Sequence, residues 1–348
     1  MAKEQGKSSR FLQTAIRLIF AAAIIGGLIW FRRDQLLKCL NSFDYVFVIP
    51  SILFYLLANI IGSWRWCQLA RLQKFDISMF EAFSLTMQGN FFSLIIPGGA
   101  IGGDVAKMGL LAKRRQPGTR GEGIFSVFMD RVVGMLALFA LAIVLLLIFF
   151  PEISGIKIPY FSISSFQMKL LAIGIMLMCL AGITAGIAIF FHKKLRKIPG
   201  ISKLMDWMDT RFNNMISRVT AMADLYAKYP GKMFLLVTVS IFFIHIFSTL
   251  PLCFLIAGTG TALDWHQILL IMTAVTIGNI SGLIPLTPGG IGLRDLTIIA
   301  ILSTVGISQG TGETAQLIST GLGVILNLCG GLFFAFDGGR TSNDVKRS

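Results

Sequence analysis

The sequence predicts an all-α polytopic membrane protein, with six spanning helices plus two re-entrant helical hairpins in an inverted repeat. Composition gives the first reason: 55% of the 348 residues are hydrophobic and 14% are charged, whereas globular domains carry about 25% charged residues. The second reason is a broken apolar motif written twice. Gln88 to Asp104 reads QGNFFSLIIPGGAIGGD, and Gly278 to Asp295 reads GNISGLIPLTPGGIGLRD. Each runs Gly-Asn, a Leu-Ile pair, proline, paired glycines and a closing aspartate. The third reason is charge placement: lysines and arginines gather between particular apolar runs, as cytoplasmic loops of a membrane protein do. Two broken apolar segments at corresponding places in two halves mark a membrane protein whose site lies at the breaks.

Taken in order, Lys3, Lys7, Arg10 and Arg17 precede an apolar run from Leu18 to Phe31. No small-residue cleavage site follows and Arg32-Arg33 closes the run, so it reads as an uncleaved first helix with the N-terminus inside. Val46 to about Trp66 is a second span, long enough for about 30 Å of hydrocarbon, with Trp64 and Trp66 expected at the interface beside Arg65. Arg71 and Lys74 precede the first broken segment, and Lys107, Lys113, Arg114, Arg115 and Arg120 follow its tip. Both flanks therefore belong in the cytoplasm. The segment, about residues 80–112, is expected to enter and leave on one face, tipped at Pro97-Gly98-Gly99. Two short complete spans would place the same charges on the same side; the shortness of both arms favours the hairpin.

Ile124 to Phe150 spans outward with Asp130-Arg131 in its first two turns. Pro151 to Gln167 is an outer loop, and Met168 to Phe191 returns inward. Residues 192–232 carry nine Lys/Arg against three Asp, the strongest cytoplasmic signal. There Ile201, Leu204, Met205, Met208, Phe212, Met215, Ile216, Val219, Met222 and Tyr226 keep helical spacing, with Arg211, Arg218 and Lys228 off the stripe. This predicts an amphipathic helix on the inner membrane surface or packed beneath the bundle. Met233 to Ala257 spans outward, and Gly258 to His266 lies outside. A second hairpin, about residues 268–305, enters and leaves on the outer face, followed by a polar stretch, Ser308 to Glu313. Ala315 to Phe336 is the last span, with Arg340, Lys346 and Arg347 holding the C-terminus inside. Arg32, Arg33 and Lys38 then fall outside, balanced in part by Asp34 and Asp44. The whole chain, 1–348, is one transmembrane domain with halves at 11–150 and 233–337, and both termini are cytoplasmic.

Irregular backbone at membrane depth survives only in contact with protein or a wet cavity, so the two tips are expected to meet near the midplane and enclose one. A helix starting just after each tip points free N–H groups at that cavity, which suits an anion. The candidate binding or gating residues are Asn90, Pro97, Gly98, Gly102, Gly103, Asp104 and Lys107 in the first motif and Asp130 and Arg131 on the following span. Asn279, Pro285, Pro288, Gly289, Gly290, Arg294 and Asp295 are their counterparts in the second. The asparagines either tie down freed carbonyls or touch ligand. A lone charge at that depth costs several kcal/mol, and adjacent residues on a helix do not face each other. Asp130, Arg131, Arg294 and Asp295 are therefore expected to pair across the two halves, as a gate, as a phosphate site through the arginines, or as structural ties.

Other chemistries have no signal. The net charge of +14 sits in loops and suits anionic headgroups better than nucleic acid. Cys39, Cys67, Cys179, Cys253 and Cys329 form no CxxC pair and read as packed thiols. No metal spacing, dinucleotide fingerprint or P-loop is present, and GGAIGGD follows no strand and lacks the Lys-Ser/Thr ending. No cofactor, metal or catalytic residue is expected. For His245, inside an apolar run, a helix–helix hydrogen bond is the favoured reading over a functional one.

The motifs NFFSLIIPGGAIGGDVAK (Asn90–Lys107), FMDRVVGMLAL (Phe128–Leu138) and IPLTPGGIGLRD (Ile284–Asp295), in this order, resemble the lysylphosphatidylglycerol synthase transmembrane family. This is the flippase-like domain family of bacterial and archaeal membranes, and the resemblance runs from about Ile16 to Phe336. It implies a multi-pass inner-membrane protein that moves, or helps move, a lipid or lipid-linked headgroup between leaflets. In the best-known relatives the module precedes a soluble synthetase domain that aminoacylates phosphatidylglycerol; this sequence ends soon after its last span, so lysyl transfer is not expected. Lys107 stands where relatives often have arginine, and Asp295 where glutamate is usual. Lysine lacks the guanidinium fork, so headgroup preference does not carry over. The implied partners are a membrane lipid, an anionic phospholipid or lipid-linked phosphate, and a glycosyltransferase or lipid-modifying enzyme. The alternatives are an accessory component of glycolipid or polyprenyl-phosphate sugar assembly and a small-solute secondary transporter.

Overall fold

A computed structural model describes residues 41, 43–96, 99–115, 119–156, 164–211, 215–284, 292–303 and 306–337. Among them the structure is helical, without strands. Five helices are long and apolar enough to cross a membrane: Tyr45–Leu72, Arg120–Ile148, Ser165–Phe190, Pro230–Ala257 and Gly310–Phe336. Leucines and phenylalanines such as Leu147, Leu177, Phe234, Leu332 and Phe336 stand exposed on their outer faces, which suits a lipid solvent. The expected first span, Leu18 to Phe31, and the terminal Arg340, Lys346 and Arg347 lie outside the described residues.

After a 3₁₀ turn at Tyr45–Phe47, α1 runs Val48–Leu72. The first broken segment forms α2 (Met79–Ile95) and α3 (Ala100–Arg114). Then come α4 (Arg120–Ile148), α5 (Ser165–Phe190), α6 (Pro199–Arg211) and α7 (Met215–Ala227). Helix α8 (Pro230–Ala257) contains a π-helical segment, Ser240–His245, and an internal proline, Pro251. The second broken segment forms α9 (Trp265–Ser281) and α10 (Leu293–Leu302), and α11 spans Gln309–Asp337.

Several expectations change here. Residues 192–232 hold two longer helices, α6 and α7, instead of one amphipathic helix. The polar stretch near Ser308 is already the start of α11, with the Ser308 hydroxyl bonding to the Thr311 N–H at 3.2 Å. Asp130-Arg131 sits deeper than two turns because α4 begins at Arg120. Trp66 is fully buried, donating to the Ser126 hydroxyl at 3.0 Å, whereas Trp64 remains partly exposed, as an interfacial residue would be. On α7, Tyr226 is also fully buried and donates to the Leu69 carbonyl at 3.1 Å. Burial raises its pKa above the ordinary value, so the hydroxyl stays protonated and keeps that bond.

The packing has a two-fold logic: α1 packs on α2 and α4, and α8 packs on α9 and α11. The halves then exchange partners, α2 lying against α11 and α9 against α4. Helices α1 and α8 meet at the centre and are antiparallel. The start of α1 meets the end of α8, where the Ser51 hydroxyl donates to the Pro251 carbonyl at 3.0 Å and Phe54 stacks on Phe254. The other end of α1 meets the beginning of α8, where Arg65 donates to Ser240 at 2.9 Å. The α2–α3 pair follows the end of α1 and the α9–α10 pair follows the end of α8, so the two pairs open at opposite ends of the molecule.

Each pair turns on glycine. The return helices α3 and α10 begin after Gly99 (φ 56°) and Gly292 (φ 98°), in the left-handed region that disfavours side chains. Within the first pair, Gly89 and Gly103 let two backbones touch, and a methyl on Gly103 would collide with the Gly89 carbonyl oxygen. In the second, a Cβ on Gly278 would lie 2.5 Å from Ile298 Cγ1. Gly103→Ala is therefore expected to separate α2 from α3 and lower stability by about 1–3 kcal/mol, as overpacking does. Thermal unfolding in detergent checks this, and an unchanged midpoint would contradict the close approach.

Candidate functional site

Two cavities flank the central pair, one beside each broken segment. The first, of about 320 Å³, is lined by Asn59 and Arg65 from α1, Asn90 and Ser93 from α2, Asp104 and Lys107 from α3, Asp130 and Arg131 from α4, and His245 from α8. Leu283, just before the second tip, also reaches it. The second cavity, of about 220 Å³, is lined by Tyr55, Asn279, Arg294, Gln316, Thr320 and Asn327. Leu94, just before the first tip, reaches that one. Each broken segment thus serves its own cavity and touches the other, while the tips expected to enclose one hollow lie outside the described residues.

The first cavity is built around charge. Arg65 Nε donates to Asp130 at 2.8 Å and Nη1 to Ser240 at 2.9 Å. Arg131 Nε donates to Asp104 at 2.6 Å, a second contact comes from Nη2, and Nη2 also reaches the Ala100 carbonyl at 3.4 Å. Both ion pairs therefore join helices within the first half, and among the described residues the expected pairing across the halves is not made. The reason is topological: α3 returns directly beside α4, so Asp104 meets Arg131 one helix away.

Lys107 differs from the arginines. It is 6% exposed, donates to the Thr86 hydroxyl at 3.2 Å, and stands 3.6 Å above the centre of the Trp66 ring. Among the described residues it has no carboxylate in contact. Cation–π stacking replaces part of the lost hydration, about 2 kcal/mol or more when desolvated, but supplies no counter-charge. Three cations against two carboxylates leave the cavity one positive charge. Asn90 donates to Asn59 at 2.8 Å, Asn59 donates to the Tyr55 carbonyl at 2.9 Å, and Ser93 donates to the Asn90 carbonyl at 2.6 Å. The Asn90 amide thus bonds another side chain, Asn59, and it is Asn59 and Ser93 that hold backbone carbonyls.

The second cavity is simpler. Asp295 is 3% exposed. It folds back on the Gly292 N–H at 2.9 Å and accepts from Gln316 at 2.9 Å and Thr320 at 3.0 Å. Arg294 touches it at 3.4 Å although the two are sequence neighbours, because they sit in the first turn after an irregular start. So engaged, Asp295 acts as a helix-start anchor, and Arg294 is left as the charged group facing the cavity. Asn279 lines it, and the Tyr55 hydroxyl donates to Asn327 at 2.7 Å across the halves. Gly102 and Gly103 are buried in the first turns of α3. Pro97, Gly98, Pro285, Pro288, Gly289 and Gly290 lie outside the described residues.

Sequence reasoning missed Arg65, Tyr55, Asn59 and the Gln316–Thr320 pair. His245 also departs from expectation: its Nε2 is buried and has no hydrogen-bond partner among the described residues. Among those residues no group of His, Cys, Asp and Glu is arranged to hold a metal ion.

A family model described as Lysylphosphatidylglycerol synthase TM region matches residues 17–331. A UPF0104 membrane protein of Pyrococcus horikoshii is 17% identical over 305 residues, covering 86% of this chain and 90% of its own.

Proposed function

This chain belongs to the Lysylphosphatidylglycerol synthase TM region family, and from that premise we propose that it is a flippase-like protein of the cytoplasmic membrane. It handles an anionic phospholipid or lipid-linked phosphate between leaflets and catalyses no reaction itself. Lys107 carries this reading. A buried ammonium with no carboxylate in contact is costly in hydrocarbon unless a ligand supplies the charge, and a phosphate group supplies it.

The hairpins are re-entrant in this reading. Their arms have 17, 15, 17 and 10 residues. At about 1.5 Å per residue each falls short of the roughly 30 Å core. Their outer ends carry water-seeking caps, Ser78 bonding the Glu81 N–H at 3.1 Å and Asp264 the Gln267 N–H at 2.7 Å. With a first span at residues 18–31, the topology is six spans and two hairpins in one domain with both termini cytoplasmic. A glycosyltransferase or lipid-modifying enzyme fits as the partner that supplies or consumes the headgroup.

The test is movement of labelled phosphatidylglycerol across reconstituted vesicles. Movement faster than in protein-free vesicles is expected, and Arg131→Ala or Arg294→Ala should each slow it at least about 10-fold, the loss of one charged hydrogen bond. Rates equal to protein-free vesicles for every headgroup would remove lipid movement from the reading. Unchanged rates in both variants would remove the arginines.

A further inference from the structure

We infer that His245 makes the first cavity selective for a phosphodiester carrying a hydroxylated headgroup, and against one carrying an ammonium. The inference rests on the lipid-handling reading and deepens it.

His245 ends the π-helical segment of α8, a wider turn found frequently at functional sites. The same segment begins at Ser240, which accepts from Arg65, so it touches the charged cluster at both ends. The His245 carbonyl is used within the helix, accepting from the hydroxyls of Ser248 and Thr249 at 2.9 Å each. The imidazole is not so engaged: it lines the first cavity, with its buried Nε2 unpartnered among the described residues. A buried polar atom without a partner is costly, a cost relieved if the cavity's occupant bonds to it.

The charge of the cavity defines that occupant. Lys107 calls for phosphate, and the cations of the cavity outnumber its carboxylates by one. The phosphodiester uses up that surplus, and Asp130 and Asp104 are already engaged by Arg65 and Arg131, so a further ammonium would be a buried cation without a counter-charge. A hydroxyl carries no charge, donates and accepts, and so satisfies Nε2 in either imidazole tautomer. Phosphatidylglycerol and a sugar phosphodiester on a polyprenyl chain share this chemistry.

The experiment is native mass spectrometry of the full-length protein after incubation with vesicles of phosphatidylglycerol, phosphatidylserine and phosphatidylethanolamine in equal amounts. A parallel arm contains a polyprenyl phosphate bearing one sugar. Phosphatidylglycerol and phosphatidylserine carry the same net charge, so their ratio on the protein isolates the headgroup. The wild type is expected to retain phosphatidylglycerol, the sugar lipid or both above phosphatidylserine, and the arms identify the source. His245→Leu should lower the preference about 3- to 10-fold, the factor of one neutral hydrogen bond. His245→Gln, which keeps a donor and an acceptor, should hold it. Equal retention of all headgroups, preference for the amines, or a His245→Leu protein with wild-type preference would overturn the inference. Loss in both variants would do the same, because it assigns His245 to packing. A wild type that retains no phospholipid would instead overturn the lipid-handling reading itself.

Discussion

Asp130→Ala is expected to cost about 3–5 kcal/mol of stability and to remove most folded protein from detergent extracts. The substitution leaves Arg65 buried, 10% exposed at its side chain, with its guanidinium at 2.8 Å from nothing but the space the carboxylate held. Breaking a buried ion pair by removing one partner has that cost, because the remaining charge is uncompensated. Ser240 still accepts from Nη1, yet a neutral hydroxyl cannot cancel the charge. A second substitution separates charge from packing. Arg65→Met with Asp130→Leu removes both charges and fills similar volume, and such swaps are often neutral or stabilising. Thermal unfolding by size-exclusion should therefore show a large drop for the single variant and recovery for the double. A single variant as stable as the parent would mean that the pair is solvated. Arg131→Ala is a milder case, since that pair is more open, with side chains 37% and 24% exposed, and its loss is expected in lipid movement before stability.

Much of this arrangement was legible in the sequence, for identifiable reasons. Proline lacks the N–H a helix interior uses and glycine weakens it, and they recur with the same neighbours, so the positions of both broken segments followed from backbone chemistry alone. The five described spans followed from apolar length. Arg65 was hidden because Trp-Arg-Trp imitates an interfacial belt. The distinguishing fact is that α1 continues to Leu72, which puts Arg65 about 9 Å, six residues of helix rise, below the basic rim at Arg71. Pairing across the halves failed for another reason. The contacts described between the halves are aromatic or end on a neutral group: Phe92 on Phe334 with ring centres 5.1 Å apart, Tyr55 on Asn327, and Arg65 on the Ser240 hydroxyl. The Asp104–Arg131 and Arg65–Asp130 pairs stay within the first half because α3 and α1 both pack on α4. The unpartnered His245 had no sequence signal, since a π-helical turn leaves no mark in residue spacing.

Lys107→Met is expected to slow movement of anionic lipid by about 10- to 100-fold while leaving the protein folded. A charged hydrogen bond is worth about 1.5–3 kcal/mol, which converts to that range, and Lys107 is the cavity cation with no carboxylate in contact among the described residues. The direction of the stability effect tells as much as the rate. In most buried ion pairs a truncation destabilises, but here methionine removes a buried charge that no described carboxylate touches and keeps the apolar stem against the Trp66 ring. The unloaded protein should therefore melt at the same temperature or higher, while added phosphatidylglycerol should stabilise the parent and not the variant. Lys107→Arg supplies the control, because a guanidinium keeps the charge, stacks on an indole and grips phosphate through two N–H groups. It is expected to hold or raise the rate. If Lys107→Met moved lipid as fast as the parent, the ammonium would be a packing element stacked on tryptophan, and the cavity beside it would have lost its claim on a phosphate.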